Sequence, residues 1–102
     1  MSRSEFRYNK KRKHYCYIFK DAGSYKKNLV ITSKPTRKFH GRIKKNIKLY
    51  KNPNNESHIM SYIVPRIYVD DINSFDSKIL NWQFDNNDKR KIKRLIKHKK
   101  AQ

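Results

Sequence analysis

Apolar and polar positions alternate most clearly over residues 14–20, where Tyr15, Tyr17 and Phe19 fall on one face and His14, Cys16 and Ile18 on the other. A two-residue period in aromatic and β-branched side chains predicts a strand. Residues 21–24 (DAGS) predict a turn in which Gly23 takes a positive φ. Residues 25–33 form the expected hairpin partner, and the unbroken run Leu29-Val30-Ile31 suits a strand buried on both faces. Residues 34–42, with Pro35 and Gly41, read as a basic loop. A third strand is expected over residues 45–50, with Ile47 and Leu49 sharing a face, ended by a turn at residues 51–55.

Residues 61–69 predict a fourth strand in which Pro65 removes a backbone donor and so argues for an edge or a bulge. The following acidic stretch is irregular apart from a short strand over residues 79–84. From Asp85 onward the tail predicts a helix. Asp85 or Asn86 caps it, Asp88 favours the positive end of its dipole, and Ile92, Leu95 and Ile96 recur at i, i+3 and i+4. Residues 1–13 show no apolar period and contain the run Lys10-Lys11-Arg12-Lys13, which reads as a flexible basic arm. Strands first and one helix last, with no internal repeat, predict a mostly β or α+β domain over residues 14–98, a small twisted sheet or barrel carrying a C-terminal helix.

Length and charge sharpen this picture. A chain of 102 residues holds one small core, and any site should be a groove or a face. The formal net charge is +19, spread as +15 over residues 1–51, zero over 52–66, −4 over 67–88 and +8 over 89–102. Such an excess attracts polyanions, nucleic acid foremost, in a salt-dependent way. Solubility alone is the bland alternative. Neither a membrane span nor a secretory signal is visible, and the lone Cys16 fits a reducing compartment, so a cytoplasmic location is expected.

The chemistry is narrowed by what is missing. His14 and Cys16 are the one close pair of metal-ligating residues, with His40, His58 and His98 scattered elsewhere, so no metal or other cofactor is expected. Acids outside residues 67–88 number only Glu5, Asp21 and Glu56, which disfavours two-metal nuclease chemistry. With only Gly23 and Gly41, neither a nucleophile elbow nor a phosphate-binding glycine loop can be built. Metal-independent cleavage of RNA survives these tests, since it needs a cation, a proton acceptor and a hydroxyl donor. Arg12, Lys13, His14, Thr32 and Ser33 supply those groups if the first two strands are adjacent. The purely structural alternative has Thr32 ending a strand, His14 starting one and the cations solvated. Tyr50, Tyr62 and Tyr68 are candidates for base stacking, although in so small a domain each is also a candidate for the core.

The segment order resembles the MazF/PemK family of toxin-antitoxin ribonucleases, whose domain is a small SH3-like barrel with a terminal helix. The resemblance rests on a basic residue leading into a strand (Arg12-Lys13-His14-Tyr15-Cys16-Tyr17-Ile18), on an apolar-Thr-Ser signature (Val30-Ile31-Thr32-Ser33), and on Asp71-Ile72-Asn73-Ser74-Phe75-Asp76 before the helix. It spans about residues 12–98. His14 stands where the family usually has proline, and residues 1–11 lack the Gly-x-Ile/Val motif of the family's first strand.

The resemblance implies a toxin-like, metal-independent endoribonuclease of mobile-element type acting on single-stranded RNA. Arg12, or alternatively Lys13, takes the place of its transition-state arginine and Thr32 with Ser33 that of its RNA-contacting threonine; His14 completes the candidate catalytic set. Lys10, Lys11, Lys13, Arg37, Lys38, Arg42, Lys44, Lys45, Arg90 and Arg94 are the candidate phosphate contacts. RNA, an acidic antitoxin and a second copy of the chain are the implied partners. The alternative is a non-catalytic nucleic-acid-binding module of plasmid or phage origin.

Overall fold

A computed structural model describes residues 4–56 and 60–100; His58 lies outside them. Eight strands precede one helix: β1 (Glu5–Asn9), β2 (His14–Ala22), β3 (Tyr25–Thr32), β4 (Thr36–Phe39), β5 (Arg42–Lys45), β6 (Ile47–Lys48), β7 (Tyr62–Ile63), β8 (Tyr68–Asp71) and α1 (Asn86–Lys100). The main sheet runs β1-β2-β3-β7-β6, with β8 also on β3, while β4 and β5 form a separate hairpin. The mostly β class with a C-terminal helix is as expected, but the sheet does not close into a barrel.

The hairpin β2–β3 lies where the alternation places it, pairing Cys16 with Val30 and Tyr17 with Leu29, and Gly23 takes φ +75° in its turn. Leu29 and Ile31 point into the main core with Phe6, Leu49, Ile63, Phe84, Ile92 and Leu95. On the opposite face Cys16 and Ile18 pack with Phe75 in a smaller cluster. β3 is thus covered on both sides, which is why its apolar run is unbroken.

The expected flexible arm is corrected: residues 5–9 are a full strand on β2, pairing Phe6 with Tyr17 and Asn9 with His14. Its signal is weak because only Phe6 and Tyr8 are apolar. The charged face is consumed locally, with Arg7 Nε donating to Glu5 Oε1 at 3.1 Å and Nη1 to the Asp76 carbonyl at 3.1 Å. The outer edge of β1 is covered by the segment after a short 3-10 turn (Ile72–Ser74), through Asp76 N to Tyr8 O and Leu80 N to Phe6 O, both 2.9 Å. The strand expected over 79–84 reduces to one bridge between Phe6 and Leu80.

Two further expectations change. Residues 34–42 are not a loop: Thr36–Phe39 and Arg42–Lys45 pair across a tight turn in which His40 (φ 52°) and Gly41 (φ 75°) both occupy the left-handed region. Every side chain of β5 is exposed, so no alternation marks it. The strand expected over 61–69 splits at Pro65, where Arg66 N reaches back to Val64 O at 2.7 Å. This i to i+2 turn swings the chain out, so β7 pairs with the end of β3 and β8 with its beginning.

Asp85 caps α1, its Oδ2 accepting from Asn87 N at 3.0 Å. Asp88, fully buried, leaves the helix to accept from the backbone N–H groups of Tyr50 (2.8 Å) and Lys51 (3.1 Å), tying α1 to the end of β6. No helix among the described residues is long and apolar enough to cross a membrane. Replacing Asp88 by Ala strands two backbone donors, so urea unfolding should show a loss of about 2 to 4 kcal/mol. Asp88→Asn, which keeps one acceptor oxygen, should lose about half of that.

Candidate nucleic-acid interface

The turn from β1 to β2 carries the basic run, and a buried polar side chain shapes it. Asn9 accepts Arg12 N on Oδ1 at 3.1 Å, and Lys13 N reaches Asn9 O at 2.8 Å with Lys13 itself at φ 58°. The turn folds Arg12 back over the sheet. There Nη2 lies 2.7 Å from Asp70 Oδ1 and Nε 3.2 Å from Oδ2, a bidentate pair with a carboxylate from β8. Asn9 Nδ2 (2.9 Å) and Asn28 Nδ2 (3.2 Å) also donate to Asp70 Oδ2. Burial works against the charge on Asp70, but hydrogen bonds from Arg12, Asn9 and Asn28, with the Arg12 charge, outweigh it and hold the carboxyl below its ordinary range.

Arg12 also lies over the ring of Tyr68, 4.2 Å from its centroid, and Arg66 covers the same ring at 5.3 Å and Phe39 at 4.8 Å. This stacked row runs from the sheet toward the β4–β5 hairpin. Between them opens a groove of about 560 Å³ lined by the cations Arg12, Lys34, Arg37 and Lys38, with His14 and Thr32 also in its lining. No carboxylate lines it. Arg37 is braced by Lys45 O (3.3 Å) and Asn46 Oδ1 (2.8 Å), and its Nε is buried with no partner among the described residues.

Of the four candidate catalytic residues, Arg12, His14 and Thr32 share this groove, whereas Ser33 lines a neighbouring cleft that His14 and Thr32 also border. Thr32 is buried and its Oγ1 accepts from Lys34 N at 3.2 Å. Lys11 approaches Asp70 at 3.7 Å, and Lys13 lines the neighbouring cleft. Lys10 is exposed on the same turn, and Arg42, Lys44 and Lys45 are exposed on β5 outside the groove lining. Arg90 and Arg94 belong to α1, which packs on the Leu29/Ile31 face of β3, while the groove lies on the Val30 face. They do not join the same surface.

Among the stacking candidates, Tyr68 is already in contact with two guanidinium groups, Tyr62 is half-buried and Tyr50 is exposed. His14 is exposed and Cys16 fully buried, so they form no open ligand pair; burial pushes the Cys16 thiol up to about 12. Among the described residues no group of three or more His, Cys, Asp or Glu is placed to hold a metal ion. Sequence reasoning missed Asp70, Asn9 and Asn28. Asn28 had a signal, an amide set directly before Leu29-Val30-Ile31 in a strand read as fully buried.

No family model, curated protein or solved structure matches this chain.

Because the Asp70 carboxyl is held low, its stabilisation is fully present above the unfolded value of about 4 and is lost as pH falls through the lowered folded pKa. Asp70→Asn should therefore cost about 3 kcal/mol in urea melts at pH 7 and progressively less below pH 4. A gap between the two proteins that stays constant with pH contradicts this account.

Proposed function

We propose that this protein binds single-stranded RNA along the groove between Arg12 and the β4–β5 hairpin. The observation that carries the reading is a groove wall of four cations, Arg12, Lys34, Arg37 and Lys38, with no carboxylate among its lining. Lys34 and Lys38 make no ion pair within the described residues and so keep their charge for an outside partner. The overall charge of +19 draws a polyanion to that surface. The resemblance to MazF/PemK toxins supports RNA, and the same surplus of charge suits an acidic antitoxin as a protein partner. The lone, buried Cys16 fits a cytoplasmic setting.

Arg12, His14 and Thr32 sharing one groove favours metal-independent cleavage as the more specific form of this reading. The RNA 2′-oxygen forms a bond to phosphorus while the bond to the 5′-oxygen breaks. His14 takes the 2′-hydroxyl proton, the leaving 5′-oxygen takes one from water, and Arg12 stabilises charge on the phosphoryl oxygens. The competing reading is binding without cleavage. Its supporting observation is that Arg12 is already committed to Asp70 and Tyr68, with 31% of its side chain exposed.

With Lys34, Arg37 and Lys38 neutralising phosphates, log K for single-stranded RNA should fall with log salt at a slope of about −2, and Lys34→Ala with Lys38→Ala should flatten it by about 1.4. Binding that ignores salt overturns the proposal. In EDTA, cleavage should yield fragments with 5′-hydroxyl ends and be lost in His14→Ala; intact RNA at high protein concentration decides for binding alone.

A further inference from the structure

The neighbouring cleft, about 280 Å³, is built differently from the groove. Tyr15 is the exposed member of an aromatic row: its ring lies 5.2 Å from Tyr8 and 4.8 Å from Trp82, and Trp82 rests in turn on Phe6 at 5.8 Å. Tyr15 is 44% exposed although braced from two sides. Tyr25 and Tyr50 are also exposed but have no such aromatic support among the described residues. The cleft is also lined by Lys13, Ser33 and Asn54, which bring a cation, a hydroxyl and an amide, and no carboxylate among the described residues lines it. His14 and Thr32 border both the cleft and the cationic groove.

We propose that this cleft takes one unpaired base of the bound RNA, stacked on Tyr15 beside Trp82, while the sugar-phosphate chain passes His14 and Thr32 into the groove. The inference rests on the RNA reading above and adds what the groove alone does not supply, a reason to prefer single strands. A base held in a duplex has its faces covered by its neighbours and cannot reach the platform, whereas an unpaired one turns out freely. Stacking on an aromatic ring is sequence-tolerant, because each base offers a π face. The amide of Asn54 and the hydroxyl of Ser33 are the groups placed to read its polar edge.

The test uses the full chain and an eight-residue 2′-O-methyl oligouridylate, beside an abasic 2′-O-methylribose-phosphate oligomer of equal length; neither can be cut by 2′-oxygen attack. Trp82, the only tryptophan, is the optical probe. The oligouridylate should bind about tenfold tighter than the abasic oligomer and quench Trp82, with most of that advantage gone in Tyr15→Ala. Equal affinity for both oligomers with unchanged tryptophan emission overturns the base site and leaves the groove standing. If neither oligomer binds, the groove reading fails and the base site with it. The abasic comparison on the unaltered chain decides the matter even where Tyr15→Ala does not fold.

Discussion

The ion pair between Arg12 and Asp70 ties the β1–β2 turn to β8, and the buried amides of Asn9 and Asn28 join it from β1 and β3. Asp70 is buried in β8, Asn28 in the centre of β3, Asn9 at the end of β1, and Arg12 in the turn beyond it. A buried carboxylate with no counterion is costly. Asp70 therefore requires the turn to fold back and present a guanidinium. Asn9 meets that requirement twice, by donating to Asp70 and by accepting the Arg12 backbone N–H. Once Arg12 is in place it fixes Tyr68 beneath it, and the stacked row through Arg66 to Phe39 follows.

What could be read from the chain follows how far each element reveals its burial by periodicity. Hairpin β2–β3 and helix α1 were legible because each buries a regular stripe: Tyr17 and Phe19 against the core on one, Ile92 and Leu95 on the other. β1 was hidden by a charged face whose charges are satisfied inside the fold, with Arg7 bonded to Glu5 and to a backbone carbonyl. Hairpin β4–β5 was hidden for the opposite reason, since its solvated strand carries no alternation to detect. Pro65 correctly signalled an irregularity, but a missing N–H does not say whether a strand is displaced to an edge or cut in two.

The candidate site divides along the same line. Arg12, His14 and Thr32 are legible as local neighbours of strand ends, and the β2–β3 register, with Cys16 opposite Val30, places those ends side by side. Asp70 was not found, because a carboxylate in an acidic segment looks like surface until its partners from residues 9, 12 and 28 are known. In sequence the helix arginines are indistinguishable from the groove cations, because a basic run looks the same on either face of a sheet. Only the packing of Leu29 and Ile31 against α1 separates Arg90 and Arg94 from the groove.

Where the acids go decides where the cations are free. Asp70 is spent on Arg12 and Lys11, Asp88 on two backbone donors with Lys91 3.7 Å away, Asp21 on Lys26 and Glu5 on Arg7. None of these carboxylates lines the groove, so Lys34 and Lys38 face it without a neutralising neighbour. Arg12 differs from them: its charge is shared between an internal carboxylate and the groove, which weakens it as a phosphate clamp and fixes its position. Under the RNA proposal a fixed, partly neutralised guanidinium orients the strand, while the unpaired lysines supply the long-range attraction. In the proposed binding mode affinity and geometry thus fall to different residues of one surface, and a change in salt acts on the first far more than on the second.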